Sequence, residues 1–246
     1  MGYFLERKDM VFAIAFFFIV GFIFGTALAP EKEVVRYLVS NFSVAGNSVK
    51  MTIPAVDQDG NGVAGLLITT IKPGSGLVLV NVNDVIAQFT TQLSGRTAAK
   101  AASGFTKIDA GNLDIIYTIK VDASAIEGPS AGAAMAISII AALQNKTLLD
   151  NVSITGTISE SGEIGPAGGI LEKARAAKKI GVRTFLVPPG QVLESNIVPE
   201  KQCSLTDGVE YCKVQYVEKG RTLGELTGLQ IIEVSNLQEA VGYFID

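Results

Sequence analysis

The sequence contains no histidine and no tryptophan among its 246 residues, and it has only two cysteines. Without histidine there is no Ser-His-Asp triad, no Cys-His dyad and no zinc site with an imidazole ligand. Two cysteines are too few for a structural zinc site or for an iron–sulfur cluster. If the protein is a hydrolase, its general base must be a lysine, a carboxylate or a terminal amine. We therefore expect neither a metal nor a cofactor.

Clustered charge of one sign is also missing. Twenty Lys and Arg stand against 24 Asp and Glu, and the formal net charge is −4. Binding to a phosphate backbone needs concentrated positive charge, so we do not expect a nucleic-acid partner. The sequence also has no G-x-x-x-x-G-K-[S/T] phosphate loop. We expect this chain to carry no ATPase module and to act without ATP.

Residues 10–29 (MVFAIAFFFIVGFIFGTALA) form a run of 20 residues without a charge. At about 1.5 Å of rise per residue, such a helix crosses the hydrocarbon of a bilayer. The Ala27–Ala29 sequence also resembles a signal-peptide cleavage site. Because the run is long for a signal peptide and Pro30 would follow the cut, we predict an uncleaved transmembrane anchor within residues 1–29. A charged stalk over residues 30–47 follows.

Residues 48–246 have the length and composition of a single domain. Apolar and β-branched runs between turn signals predict strands at residues 49–53, 64–71, 77–80, 114–121, 152–158, 184–187 and 229–234. Start signals and periodicity predict helices from Asn83 or Asp84 to Ala102, from Pro129 to Leu143, from Ile170 to Ile180 and from a capping box at residues 235–238. The antiparallel beginning and the later alternation indicate an α+β fold with mixed sheets.

Ser130 stands where the glycine-rich sequence Glu127-Gly-Pro-Ser-Ala-Gly132 turns into a predicted helix. Pro129 fixes φ, and the small residues after the serine leave the space above it open. The backbone N–H groups of Ser130 and Ala131 have no partner inside the helix, so we predict that they form an oxyanion hole. From this motif alone, a nucleophilic serine and a simple helix cap are equally good interpretations.

Lys173 is the candidate base. It lies near the start of an amphipathic helix whose apolar stripe includes Ile170 and Ala174. A lysine beside such a stripe loses water and, with it, part of its affinity for a proton. The many charged neighbours between Glu172 and Lys179 also fit an ordinary solvated helix face.

Both motifs lie in a stretch, residues 127–189, that resembles the proteolytic domain of the Lon protease family. It reads E-G-P-S-A-G and later T-G-T-I-S-E-S-G-E-I-G-P-A-G-G-I-L-E-K-A-R-A-A. In that family the serine of P-S-A-G and the lysine of G-G-x-x-E-K form a Ser-Lys dyad, and the matching residues are Ser130 and Lys173. Weaker similarity extends over residues 48–246. The resemblance implies a serine endopeptidase that acts on peptides or unfolded proteins through an acyl-enzyme on Ser130.

The same resemblance concerns further residues. Thr155 matches a threonine whose hydroxyl helps to orient the lysine, and a plain strand threonine is the alternative. Glu127 stands where the family usually has Asp, and Thr157 stands where it usually has an acid, so the resemblance does not extend to the details of substrate contact, although both dyad residues are present. The resemblance also implies a homo-oligomer, with a hexameric ring as one form. An inactive Lon-type fold that serves as a binding or assembly module at the membrane remains the alternative function.

Cys203 and Cys212 flank the turn signal Asp207-Gly208. Counting outward from a two-residue turn places the cysteines opposite one another at a non-hydrogen-bonded position, where side chains are close. This register predicts a disulfide, and two reduced cysteines in a cytosolic loop are the alternative. With the disulfide formed, we expect the domain to lie outside the cytoplasm, tethered by the N-terminal helix.

Overall fold

Thirteen strands run through the part of the chain that the computed structural model describes, residues 46–81, 86–87, 89–121, 125–126, 128–206 and 209–245. They are β1 Asn47–Val56, β2 Gly62–Pro73, β3 Val78–Asn81, β4 Ile86–Ala87, β5 Leu113–Val121, β6 Ala125–Ile126, β7 Val152–Ile154, β8 Thr157–Ile158, β9 Ile164–Gly165, β10 Thr184–Val187, β11 Leu193–Thr206, β12 Val209–Thr222 and β13 Gln230–Glu233. The single strand predicted over residues 152–158 is wrong, because Thr155 and Gly156 separate β7 from β8.

Five α-helices accompany these strands in the described residues. They are α1 Phe89–Thr106, α2 Gly132–Leu143, α3 Ile170–Lys179, α4 Leu223–Thr227 and α5 Leu237–Ala240. Pro129 precedes α2 rather than forming its first turn. The capping box of the last helix was placed one residue too early, because the Asn236 side chain accepts the Glu239 N–H at 3.0 Å. The mixed α/β character of the prediction is confirmed.

Helix α1 differs most from its prediction. Phe89 and Leu93, the large apolar residues of its first half, are 78% and 52% exposed. Ile86 lies not in this helix but in β4, which pairs in parallel with β6. The buried face consists instead of small residues, namely Thr91, Ser94, Gly95, Ala98, Ala99, Ala101 and Ala102. A Cβ on Gly95 would lie 3.1 Å from Cε2 of Tyr117, so the helix packs closely on the sheet where its side chains are small.

The largest sheet has the strand order β1-β2-β5-β3. Strands β1, β2 and β5 are antiparallel neighbours, and β3 runs parallel to β5. Alternation along β5 buries Ile115, Tyr117 and Ile119. These side chains share a core with the small-residue face of α1 and with α2, in which every residue from Gly132 to Ala142 is buried. This is the first core.

A second, smaller core lies around α3 and one side of strand β10, which is the central strand of the parallel sheet β13-β10-β7. Its buried members are Ala167, Ile170, Ala174, Ala177, Val182, Phe185, Val187, Leu223 and Leu229. The helix after Ser130 thus packs in the first core, whereas the helix that carries Lys173 packs in the second. The two motifs singled out from the sequence are thus carried by helices that bury apolar side chains in different cores, although α3 also packs against β1 and β2.

Strands β11 and β12 form a two-stranded antiparallel ribbon of 14 residues in each strand. The predicted register is confirmed, since Cys203 lies opposite Cys212, and the two sulfur atoms are joined in a disulfide. The Asp207-Gly208 turn itself lies outside the described residues. Sequence reasoning found only the tip of this ribbon and missed its length.

Several predictions fall outside the described residues. Residues 1–45 contain the predicted membrane anchor and nearly all of the predicted stalk, and residues 82–85 contain the predicted cap of the first helix. Among the helices that are described, none has both the length and the apolar character needed to cross a membrane.

Candidate active site

Ser130 lies in a turn between Gly128 and the start of α2. Gly128 has a φ of +88°, a conformation that side chains rarely permit. A Cβ on Gly132 would come within 2.8 Å of Ile158 Cγ2, so only glycine fits where this turn packs on β8. Ala131 occupies the N-cap position of α2, and no side chain caps the helix. The helix-cap interpretation of Ser130 is therefore wrong.

Backbone hydrogen bonds join the serine turn to the break between β7 and β8. The Gly156 N–H donates to the Ser130 carbonyl at 2.9 Å, and the Ala133 N–H donates to the Gly156 carbonyl at 3.1 Å. Within the described part of the chain, the N–H groups of Ser130 and Ala131 donate to no other residue. Both groups are thus free to donate to a ligand at the serine.

Lys173 enters the site from the first turn of α3. Gly169 precedes that turn with a φ of +61°, and its carbonyl accepts the Lys173 N–H at 3.0 Å. The Lys173 side chain is only 5% exposed. Its Nζ lies 2.7 Å from Ser130 Oγ and 3.3 Å from Thr155 Oγ1. The interpretation of Lys173 as part of a solvated helix face is therefore wrong.

Thr155 lies just after β7 and is 1% exposed. Its Oγ1 lies 3.3 Å from Lys173 Nζ and 3.5 Å from the Ser130 carbonyl oxygen, within reach of both residues. The structure thus brings Ser130, Lys173 and Thr155 together. Glu127, the fourth side chain singled out from the sequence, lies outside the described residues.

Burial lowers the pKa of Lys173 from its ordinary value of 10.5 to about 8. The cause is desolvation, which disfavours the charged ammonium. Lys173 is also the only charged side chain that is buried among the described residues, and none of their carboxylates forms an ion pair with it. A substantial fraction of this amine is therefore neutral at mildly alkaline pH.

A cleft of about 680 Å³ opens beside Ser130. One wall is the end of β1 and the loop after it, residues 53–58, and the other is the loop at residues 166–169. Ile119 and Thr91 lie at its buried side, and Thr157 lines it where the family resemblance leads one to expect an acid. Sequence reasoning missed these lining residues, because no local motif marks segments that meet only through tertiary packing.

The geometry defines a class of site in which a serine hydroxyl contacts a desolvated lysine amine beside an open cleft. Comparison with known proteins then identifies the family. A family model described as the Lon protease (S16) C-terminal proteolytic domain matches residues 67–234, more than half of the chain. The chain belongs to this family.

Individual relatives agree with this assignment. The chain is 28% identical over 153 residues to Lon protease 1 of Herpetosiphon aurantiacus, which covers 56% of this chain and 18% of that protein. It is 32% identical over 184 residues to Lon protease of Koribacter versatilis, and this alignment covers 70% of the chain and 20% of that protein. It is 30% identical over 198 residues to Lon protease of Metamycoplasma arthritidis, and this alignment covers 79% of the chain and 22% of that protein. The similarity thus spans about a fifth of the length of these curated relatives.

Proposed function

We propose that this protein is a serine peptidase that hydrolyses peptide bonds with Ser130 as nucleophile and Lys173 as general base. The observation that supports this most directly is the 2.7 Å contact between Ser130 Oγ and a buried lysine amine without an acidic partner in the described residues. In a chain without histidine, this amine is the best-placed base. Membership in a family of proteolytic domains supports the same reaction class.

In the proposed mechanism, neutral Lys173 takes the Ser130 hydroxyl proton as Oγ attacks the substrate carbonyl carbon. The negative charge that develops on the carbonyl oxygen is stabilised by the N–H groups of Ser130 and Ala131. The lysine ammonium then gives its proton to the leaving amine, which breaks the peptide bond and leaves an acyl-enzyme on Ser130. Water, deprotonated by the regenerated amine, releases the second product.

Thr155 acts as a positioning residue in this mechanism. Its Oγ1 lies within hydrogen-bond range of Lys173 Nζ and close to the Ser130 carbonyl, so it limits the rotamers that the lysine can adopt. An amine held in this way loses less freedom when it reaches the serine proton.

The test is peptide hydrolysis by the purified protein beside its Ser130→Ala variant, each with and without ATP. We expect the variant to lose at least about a hundredfold in turnover, because nothing else at the turn can attack a carbonyl. A fluorophosphonate label should modify Ser130 in the parent and nothing in the variant. Equal turnover by the two proteins would refute the mechanism. A folded parent that is neither labelled nor active would favour the binding-module alternative.

We further propose that the domain is held at a membrane by residues 10–29 and lies outside the cytoplasm. The uncharged 20-residue run supports the first part. The Cys203–Cys212 disulfide supports the second, because such bonds persist mainly in oxidising compartments. Action without ATP and assembly into a homo-oligomer are parts of the same proposal.

A further inference from the structure

Buried polar side chains are few in the described residues, and all but one are hydrogen-bonded. They are Thr69, Thr91, Ser94, Ser138, Ser153, Thr155 and Lys173. Thr69 bonds to Ser138, Ser94 to the Pro129 carbonyl, Ser153 to the Thr52 carbonyl, and Lys173 to Ser130 and Thr155. Thr91 is the exception, since its hydroxyl bonds to no described residue. Leaving a buried hydroxyl unpaired costs free energy, so such groups are rare in folded proteins.

The Thr91 hydroxyl reaches the open space of the active-site cleft. Thr91 is only 3% exposed, yet it lines the cleft. Among the described residues, Thr90 Oγ1 is the fully enclosed side-chain oxygen without a hydrogen-bond partner. Thr91 Oγ1 also lacks a partner but is not fully enclosed, so the small exposed part of this side chain includes its oxygen. The hydroxyl is therefore available to a molecule bound in the cleft.

Helix α1 holds Thr91 close to the serine turn. Thr91 and Ser94 are three residues apart on the buried face of the helix, about 4.5 Å apart along its axis. Ser94 Oγ donates to the Pro129 carbonyl at 3.3 Å, and Pro129 directly precedes Ser130. A side chain next to a peptide bond that is held at Ser130 Oγ can thus reach the Thr91 hydroxyl.

The surroundings of this hydroxyl are otherwise apolar. Ile53 and Ile119, which are 5% and 1% exposed, line the same cleft. Among the described residues of the lining, the charged ones are the proposed base and Asp57. The Asp57 carboxylate accepts the Asp59 and Asn61 N–H groups of its own loop. A charged substrate side chain would lose its water here for a single hydroxyl, and an apolar one would displace water from that hydroxyl and leave it unpaired.

We propose that Thr91 selects, next to the bond to be cleaved, a substrate residue whose uncharged side chain hydrogen-bonds to its hydroxyl, namely serine, threonine, asparagine or glutamine. The hydroxyl can donate to a side-chain oxygen, and it can accept an O–H or N–H. Thr91 is a specificity residue and takes no part in proton transfer. The inference rests on the proposed peptidase function, because it concerns which peptide bonds Ser130 attacks.

The first measurement identifies the preferred residue. The purified protein digests a peptide mixture in which every amino acid occurs at every position, and mass spectrometry identifies the residues that flank the cleaved bonds. We expect serine, threonine, asparagine and glutamine to be enriched at one of the two flanking positions. Enrichment of charged or purely apolar residues at both positions, or no preference at either, would overturn the inference.

The second measurement combines a change in the enzyme with a change in the substrate. Threonine and valine have nearly the same shape and differ by a hydroxyl, so two peptides that differ only in this residue at the selected position are compared. We expect the parent to cleave the threonine peptide with about tenfold higher kcat/KM, and Thr91→Val to bring this ratio near one. An equal loss for both peptides would mean that Thr91 contacts the substrate backbone, and this result or an unchanged ratio would overturn the inference.

Thr97→Val is the matched control, because it removes a hydroxyl from the same helix outside the lining of the cleft. The Thr97 hydroxyl donates to the Leu93 carbonyl at 3.1 Å, and this variant should keep the parent's ratio. Urea unfolding detects a structural role for Thr91. Because its hydroxyl has no partner to lose, we expect Thr91→Val to be at least as stable as the parent. A loss of stability with an unchanged ratio would overturn the inference in favour of a structural role.

Binding without hydrolysis separates this inference from the catalytic proposal. In the Ser130→Ala variant, a nuclear magnetic resonance titration follows the binding of capped alanine pentapeptides with threonine or valine at the centre. We expect the threonine peptide to bind about tenfold more tightly, and the added Thr91→Val change to remove this preference. Equal binding of the two peptides would overturn the inference, even if the parent is an active peptidase. A preference that depends on Thr91, found together with an inactive parent, would overturn only the catalytic proposal.

Discussion

At the scale of single residues, the main feature is a lysine buried without a carboxylate partner in the described part of the chain. Its pKa of about 8 places the change from ammonium to amine within the range of ordinary assays. A lysine can accept the Ser130 proton only while neutral. The buried environment of Lys173 thus supplies a fraction of neutral amine at neutral pH. An exposed lysine, with a pKa near 10.4, is almost entirely protonated there.

We predict that kcat/KM for a short peptide rises with pH through an apparent pKa of about 8. The fraction of neutral amine increases about tenfold for each pH unit below that value and levels off above it. A pH-rate profile between pH 6 and 10 measures this. Lys173→Arg should be inactive throughout, because guanidinium keeps its proton. A profile without a step in this range would contradict the role of Lys173 as the base.

Sequence reasoning identified Ser130 and Lys173, but it assigned their roles through the family resemblance and not through the local sequence. Nothing in the local sequence separates Ser130 as a nucleophile from Ser130 as a helix cap, and the charges around Lys173 suggested solvent exposure. The 2.7 Å distance between Ser130 Oγ and Lys173 Nζ shows that the two side chains are in contact. Such a distance depends on how α2 and α3 pack, which a local pattern cannot express.

At the scale of elements, the disulfide stabilises a ribbon that has little other support. An isolated two-stranded hairpin is only marginally stable in water. The cysteines are nine positions apart, and closing a loop of that size is worth roughly 2–3 kcal/mol in chain entropy. Because the body of the ribbon joins neither core, we expect this stabilisation to be local.

We predict that replacing Cys203 and Cys212 together by serine speeds amide hydrogen exchange in β11 and β12 by about 30- to 150-fold, the equivalent of roughly 2–3 kcal/mol. The melting temperature of the domain should change little. Hydrogen exchange read by mass spectrometry, beside calorimetry, tests both parts. A large drop in melting temperature without faster exchange in the ribbon would show that the ribbon is coupled to the cores.

The elements that were predicted well are those in which a local pattern coincides with burial. Strand β10 and helix α3 show clear apolar patterns and were found at nearly their observed bounds. Helix α1 was misplaced because its large apolar residues, Phe89 and Leu93, face solvent while alanine, serine and glycine face the core. Helix α4 was missed, although its capping box from Thr222 to Glu225 is visible as T-x-x-E.

At the scale of the whole molecule, the buried lysine influences stability as well as activity. The folded state holds Lys173 with a pKa of about 8, whereas the unfolded chain has the ordinary value of 10.5. Between these values the unfolded state binds more protons, so this group makes stability rise with pH across that window. Below it, the group lowers the free energy of unfolding by a constant amount of roughly 3 kcal/mol.

We therefore predict that Lys173→Met makes the protein more stable at pH 7, by up to about 3 kcal/mol, and that this gain shrinks toward pH 10. Urea unfolding at both pH values measures the difference. Lys179→Met, an exposed change on the same helix, is the control and should shift stability by less than about 0.5 kcal/mol at either pH. A loss of stability in Lys173→Met at pH 7 would mean that its contacts with Ser130 and Thr155 outweigh its desolvation.

The division into two cores also has a consequence for the timing of activity. Ser130 is positioned by a helix of the first core and Lys173 by a helix of the second. Under the proposed mechanism, a chain in which only one core has formed carries a serine without a base, or a base without a serine. Such a chain is comparable to a zymogen, except that docking of the two cores, and not cleavage of a propeptide, completes it. Under that mechanism, we expect a partly folded copy of this chain to have no peptidase activity of its own.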